Sequence, residues 1–263
     1  MTEELRYEVR QRVATLTLNR PQASNALSPE LASALILRIR DADADPAVKC
    51  IAIAAEGDNF SAGGDIKSFE QTLSLPPAER YDLFERRLQV GNRLPQVLLD
   101  CSKPIVVAAQ GAVAGAGMSL CLAADFTLCS ENAYFLAAHV HVGLCLDCGL
   151  SGLLIGAMGV KAAKRLAMLG ERISAAEARE LGIVTRVVPA AELGLELEKL
   201  TARLAAGPAI ALAGTKQMLN HAAYPGFTAQ LAEETAGIAR CAASDDFRHG
   251  VEGALARRPA RFD

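Results

Sequence analysis

Over roughly the first 190 residues the apolar positions switch between a strand-like and a helix-like period, and that switching sets the predicted architecture. Val9, Val13, Thr15, Leu16 and Leu18 mark an alternating stretch over residues 5–18, which predicts two short antiparallel strands turning at Gln11. Asn19, Arg20 and Pro21 end it. Ser28 followed by Pro29 predicts a helix start, and Leu31, Leu35 and Ile39 continue it at helical spacing to about Asp43. Val48–Ala54 is apolar but for Lys49, as in a strand buried on both faces. A glycine-bearing loop follows over residues 56–69, with regular structure resuming at Ile66. Pro76 and Pro77 open a predicted long helix to about Asp100, with Leu83, Leu88, Val90, Leu94 and Leu98 on its apolar side.

The stretch from Lys103 to Asp125, KPIVVAAQGAVAGAGMSLCLAAD, then repeats the earlier strand, loop and helix order with different residues. Its apolar run Ile105–Ala109 predicts a buried strand that passes through glycines into a helix. At such a helix start the first N–H groups lack intrahelical partners and lie at the positive end of the dipole, so the junction suits an anion. Short strands are predicted at Phe126–Cys129 and Ala133–Phe135, and residues 136–151 read as a loop. Residues 152–188 predict two or three helices and one strand, Ile183–Val188. From Ala190 onward the pattern is helical, broken at Gly207-Pro208, at Tyr224-Pro225-Gly226 and around Ser244.

Composition narrows the class. The 263 residues are 51% hydrophobic and 22% charged, which excludes a disordered or low-complexity chain. A net charge of −3, without a run of like charges, leaves no basic footprint for nucleic acid. The N-terminal MTEELRYEVRQR is polar where a secretory signal needs an apolar core, and no apolar run reaches membrane-span length, so a cytoplasmic location is expected. Seven cysteines, an odd number lying mostly within apolar runs, argue against a disulfide framework.

Residues 139–148 hold His139, His141, Cys145 and Cys148, residue types that bind zinc, but the spacing matches no common zinc pattern and no metal site is expected. Asp147 in the same segment has two readings. It is the N-cap of a helix over Gly149–Met158, or, on the resemblance given below, a carboxylate that transfers a proton. On an extended segment His139 and His141 would face the same side.

The residues resemble a known family. LNRPQASNALS at 18–28, FSAGGDIKSF at 60–69, the Lys103–Asp125 stretch, VGLCLDCGLS at 142–151 and GERISAAEARELGIVTRVV at 170–188 are together similar to the enoyl-CoA hydratase/isomerase, or crotonase, superfamily. The resemblance implies an α/β fold, a spiral of ββα units over residues 1–190 that carries the site. It also implies a C-terminal helical oligomerisation region over 191–263 and assembly as a homotrimer or a dimer of trimers. It implies an acyl-CoA thioester substrate and no cofactor beyond that coenzyme A moiety. The thioester oxygen would be held by the backbone N–H groups of Gly64 and Ala116. Coenzyme A would lie along Ala23, Asn25, Ala26 and Leu27, and along Ala62, Gly63, Asp65, Ile66 and Lys67, with Arg20 and Lys67 offering charge to its phosphates.

Hydratases of this family use two glutamates, whose places fall on Ser119 and His139. Asp147 stands where similar isomerases carry an aspartate, and the wording is closest to the isomerases of phenylacetate degradation. The expected activity is therefore a double-bond shift in an enoyl-CoA, with Asp147 as acid and base. His139 is a further candidate at the wall, and Ser119 is expected to pack or to bond to its own helix. Two alternatives stay open: an atypical hydratase or other thioester reaction on the same scaffold, and an acyl-CoA-binding protein without catalysis.

Overall fold

A computed structural model describes residues 4–262. Strands β1 (Leu5–Arg10) and β2 (Val13–Leu18) form the predicted hairpin. Its turn residues Gln11 and Arg12 both adopt positive φ, which matches the right-handed twist of the flanking strands. Helix α1 (Pro29–Ala44) starts as predicted, with Ser28 Oγ accepting the Leu31 N–H at 3.1 Å. Next come β3 (Cys50–Ala55), the short α2 (Ile66–Glu70), α3 (Pro77–Gly91) and α4 (Arg93–Asp100). Then β4 (Ile105–Ala109) and β5 (Ala112–Ala114) lead into α5 (Ala116–Ala123), and β6 (Phe126–Ser130) and β7 (Tyr134–Leu136) into α6 (Leu150–Leu169). The chain continues through β8 (Arg172–Ser174), α7 (Ala175–Glu180) and β9 (Arg186–Val188). Four helices end it: α8 (Leu193–Ala205), α9 (Ala209–Ala223), α10 (Phe227–Ala242) and α11 (Asp245–Leu255).

The strands sort into two sheets, ordered β1-β2-β3-β4-β6-β9 and β5-β7-β8. Successive units send one strand to the large sheet and the next to the small one, β4 then β5, β6 then β7, so the chain winds as a spiral of ββα units. The unit at β3 is a reduced version: its second strand is only a bridge from Ser61 to Val113 at the small sheet's edge. That is why residues 48–66 echo 104–120 in pattern but not in length. Pairs from β2 to β9 in the large sheet are parallel, and both of its faces are covered. Leu31, Leu35 and Ile39 of α1 pack on one face, against Leu16, Ile51, Ile53 and Val107. Leu193, Leu197 and Leu204 of α8 pack on the other, against Cys50, Ala52, Val106 and Ala108. Two-sided burial is the reason β3 and β4 read as unbroken apolar runs, and each buried Leu or Ile contributes ~1.5–3 kcal/mol.

Several predicted elements need correction. The helix expected from Pro76 to Asp100 is two helices broken at Asn92. Pro95 in the first turn of α4 cannot donate to Gly91, and Asn92 turns its side chain toward α10, donating to Leu231 O and Thr235 Oγ1. The strand expected at Ile183–Val188 is confined to β9, because Ile183 and Val184 are buried in the turn after α7 rather than laddered. Three-residue β5 and β8 are too short for a period to show. Residues Ala138–Val142, read as loop, form a 3-10 turn, so His139 and His141 diverge instead of sharing a side.

A buried ion pair ties α9 to the start of β4. Lys216 Nζ donates to Asp125 Oδ2 at 2.8 Å and to Lys103 O at 3.2 Å, while Asp125 also accepts the Ile105 N–H at 2.7 Å.

Candidate active site

The two glycine segments meet. Gly63 has φ +87°, and a Cβ there would lie 2.9 Å from Ala114 O, so only glycine lets this loop approach the end of β5. Gly115 has φ +48° and ψ −120°, a conformation that swings the chain from β5 directly into α5. The N–H groups of Gly64 and of Ala116, the first residue of α5, find no acceptor among the described residues. Both residues line one cavity.

Beside Gly115 the cavity brings together two groups eight residues apart in sequence. His139 Nε2 lies 2.9 Å from Asp147 Oδ1, with the imidazole 9% and the carboxylate 19% exposed. Both line the same cavity as Gly64 and Ala116. The 3-10 turn aims His139 inward, whereas His141 Nε2 meets Gly170 O at 2.9 Å. Nδ1 of His139 is buried without a partner among the described residues. Ser119, also on the cavity wall, has an unpartnered buried hydroxyl too. Of its two expected roles, packing holds, since the residue is buried, and the bond to its helix is absent.

Asp147 is not the cap of α6. Gly149 occupies the N-cap position, and the exposed N–H groups are satisfied by Glu234, which reaches across from α10. Its Oε2 accepts the Gly149 N–H at 2.7 Å, and its Oε1 accepts the Ser151 N–H at 3.0 Å and the Ser151 hydroxyl. Asn92 Oδ1 accepts the Cys148 N–H at 2.9 Å. Asp147 is thus freed from capping and its loop is pinned on both sides. Burial, the largest influence, raises the Glu234 pKa against the lowering effect of these bonds. The signal that could have found Glu234 is its place in an apolar stripe, between Leu231 and Ile238 of α10. Asn92 left no such signal. Glu234→Gln is expected to cost ~1–3 kcal/mol of stability in urea melts, because an amide offers one acceptor oxygen where the carboxylate offers two.

The four residues that suggested a metal are drawn apart. His139 turns to Asp147, His141 to Gly170, and Cys145 to Cys241 and Gly237 on α10. Among the described residues no group of three or more His, Cys, Asp or Glu side chains is arranged to hold a metal ion. Cys148 lines the cavity, and burial first and Asp147 second raise its thiol pKa well above the ordinary value, which disfavours a thiolate there.

The two segments expected to meet coenzyme A are laced to each other. Leu27 N–H donates to Gly63 O at 2.8 Å and Ala62 N–H to Ser24 O at 2.9 Å. Leu27, Ala62, Gly63, Asp65 and Ile66 line the cavity. Ala23, Ala26 and Lys67 stand behind or beside it, Lys67 exposed. Asn25 is fully buried and builds the loop, its amide donating to Glu56 O and Asn59 O. Arg20 is not available to a phosphate: it pairs with Glu4 at 2.9 Å and with Asp65 at 3.4 Å. Asp65 in turn caps α2.

The family model for enoyl-CoA hydratase/isomerase matches residues 8–263. The chain belongs to the enoyl-CoA hydratase/isomerase family. Within this family it is 32% identical over 260 residues to the trans-2-decenoyl-[acyl-carrier-protein] isomerase of Streptococcus mutans, covering 99% of this chain and 98% of that one. It is likewise 32% identical over 262 residues to the 1,2-epoxyphenylacetyl-CoA isomerase of Escherichia coli, covering 100% and 99%. A crystal structure of an enoyl-CoA hydratase from Mycobacterium avium subsp. paratuberculosis superposes with a TM-score of 0.89 at 34% identity, over 99% of this chain and 98% of that one. The fold is therefore the family's spiral of ββα units with a helical C-terminal region, and the protein is an enzyme of this family. No helix among the described residues is long and apolar enough to cross a membrane.

Proposed function

We propose that the protein isomerises an enoyl-CoA, moving a double bond from the 3 to the 2 position. One observation carries the reading: of the two carboxylates lining the cavity, Asp65 is committed to Arg20 and to α2, which leaves Asp147 alone for proton transfer. Asp147 takes the proton from C2, and the electron pair passes into a dienolate whose oxygen carries the charge. Gly64 and Ala116 N–H groups hold that oxygen, each worth ~3 kcal/mol by comparison with other oxyanion holes. The electron pair returns as the C2–C3 double bond while C3–C4 becomes single, and Asp147 gives the proton to C4. The loops at Ala23–Leu27 and Ala62–Lys67 hold the coenzyme A moiety. One relative of this chain is named as an isomerase of a decenoyl thioester, while others at like identity are named as enoyl-CoA hydratases, so the assignment rests on the cavity's carboxylates.

His139 serves Asp147 in this reading. With Asp147 ionised, the imidazole carries its hydrogen on Nε2 and donates to Oδ1, which leaves the second oxygen for the substrate. His139→Leu is expected to lower kcat roughly 10- to 100-fold with KM little changed, the scale of one hydrogen bond to a charged group. His139→Gln, which keeps an N–H donor, is expected to recover most of the loss. Equal losses in both variants would assign His139 another role.

A second reading, hydration of a 2-enoyl-CoA, is favoured by one feature: Ser119 and His139 both line the cavity, and Ser119 Oγ and His139 Nδ1 are each buried without a partner among the described residues. Assaying the purified protein on 3-enoyl-CoA and on 2-enoyl-CoA separates the two. The exposed apolar residues Ile155, Met168 and Leu169 of α6 and Ile210, Met218 and Leu219 of α9 suit contacts between copies in a homotrimer or dimer of trimers, which light scattering tests.

A further inference from the structure

Arg87 is the only Lys or Arg side chain lining the cavity among the described residues. Phe69, Phe84, Leu88 and Leu94 line the same cavity, beside the polar Ser68. Its guanidinium is half-buried, lies 5.9 Å from the Phe84 ring centroid, and donates from Nη1 to Ser68 Oγ at 3.2 Å. No carboxylate among the described residues pairs with it. The cavity's own carboxylates are engaged elsewhere, Asp65 with Arg20 and Asp147 with His139. Arg80, two turns earlier on α3, shows the contrast: it is fully buried and donates to Ala242 O and Leu75 O. Arg80 is a satisfied structural cation, whereas most of the donor fork of Arg87 is open.

We infer that Arg87 anchors a carboxylate at the far end of the acyl chain, so that the preferred substrate is a dicarboxylic acyl thioester. The inference rests on the reading that the cavity takes an acyl-CoA. A plain hydrocarbon chain laid against Arg87 would strip water from the guanidinium and return nothing, whereas a carboxylate would pair with its planar fork. Burial already pulls the Arg87 pKa down, with only the Glu30 charge opposing it, so an anion placed here restores the environment the cation lacks. The alternative anion is a phosphate of coenzyme A itself, but the Phe84 ring beside Arg87 and the apolar residues lining the cavity suit an acyl chain rather than a phosphate.

Calorimetric binding of saturated, unreactive thioesters tests this without requiring turnover, so its outcome is separate from that of the isomerase assay. Succinyl-, glutaryl-, adipoyl- and suberoyl-CoA are compared with monocarboxylic acyl-CoAs of equal length, and with free coenzyme A. The native protein is expected to bind at least one of the dicarboxylic ligands roughly 10- to 100-fold more tightly than its counterpart, the scale of a charge-assisted pair. Arg87→Leu and Arg87→Gln are expected to erase that preference while leaving monocarboxylic ligands and free coenzyme A bound as before. No preference in the native protein at any length would overturn the inference. So would an equal loss for every ligand in the variants, which would assign the cation to coenzyme A.

Discussion

Asp147→Asn is expected to lower turnover of a 3-enoyl-CoA by roughly 10²- to 10⁴-fold while leaving coenzyme A binding intact, the range typical for removal of a positioned acid or base. Asparagine has nearly the same shape, and its amide can keep the contact with His139 Nε2 through the other imidazole tautomer. The loop does not depend on the carboxylate, because Cys148 N–H is held by Asn92 and Gly149 and Ser151 N–H by Glu234. The loss should therefore appear in kcat with little change in melting temperature. The assay is the rise in ultraviolet absorbance as the double bond comes into conjugation with the thioester. Retention of native isomerisation by Asp147→Asn would sink the mechanism. Hydration of 2-enoyl-CoA surviving the change would move the chemistry to Ser119 and His139.

What could be read from sequence divides along the reach of the interaction. The junctions at Gly63-Gly64 and Gly115-Ala116 were visible because backbone geometry demands glycine locally, and the anion-binding character follows from the helix start itself. Asp147 was visible through the family resemblance, as the place where similar isomerases carry an aspartate. Its partner was not, because the pairing with His139 depends on a 3-10 turn that an extended reading of residues 136–151 denies. Arg20 illustrates the converse: as a lone cation beside a binding segment it suited a phosphate, yet Glu4 and Asp65 already neutralise it. Arg87 in sequence is one arginine of a polar helix face, and only the cavity around it marks it out. Asn92 acts across 56 residues of chain and Glu234 across 85, so nothing near them in sequence reports the loop they hold.

Lys216→Met is expected to destabilise the fold by ~3–5 kcal/mol, the cost of leaving one member of a buried ion pair without its partner. The Lys216 side chain is 6% exposed and that of Asp125 16%, so solvent does little to screen either. The sign of the pH dependence follows from Asp125. Burial raises its carboxyl pKa above the ordinary 3.8, outweighing Lys216 and the backbone bonds that lower it. The folded chain therefore binds this proton more tightly than the unfolded chain does. Its contribution to stability is full below 3.8 and declines as the pH rises through the folded value. Removing Lys216 removes the largest opposing influence and pushes Asp125 higher still. The variant should lose stability more steeply than the native protein as pH rises, with the smallest difference under acid conditions where Asp125 is protonated. Urea unfolding across that range measures it. The double variant Asp125→Asn, Lys216→Met removes both charges while keeping an acceptor for Ile105 N–H, and it should be destabilised by less than the sum of the two single changes. Strict additivity would mean that the pair contributes no coupling and that Lys216 acts through its bond to Lys103 O and its packing.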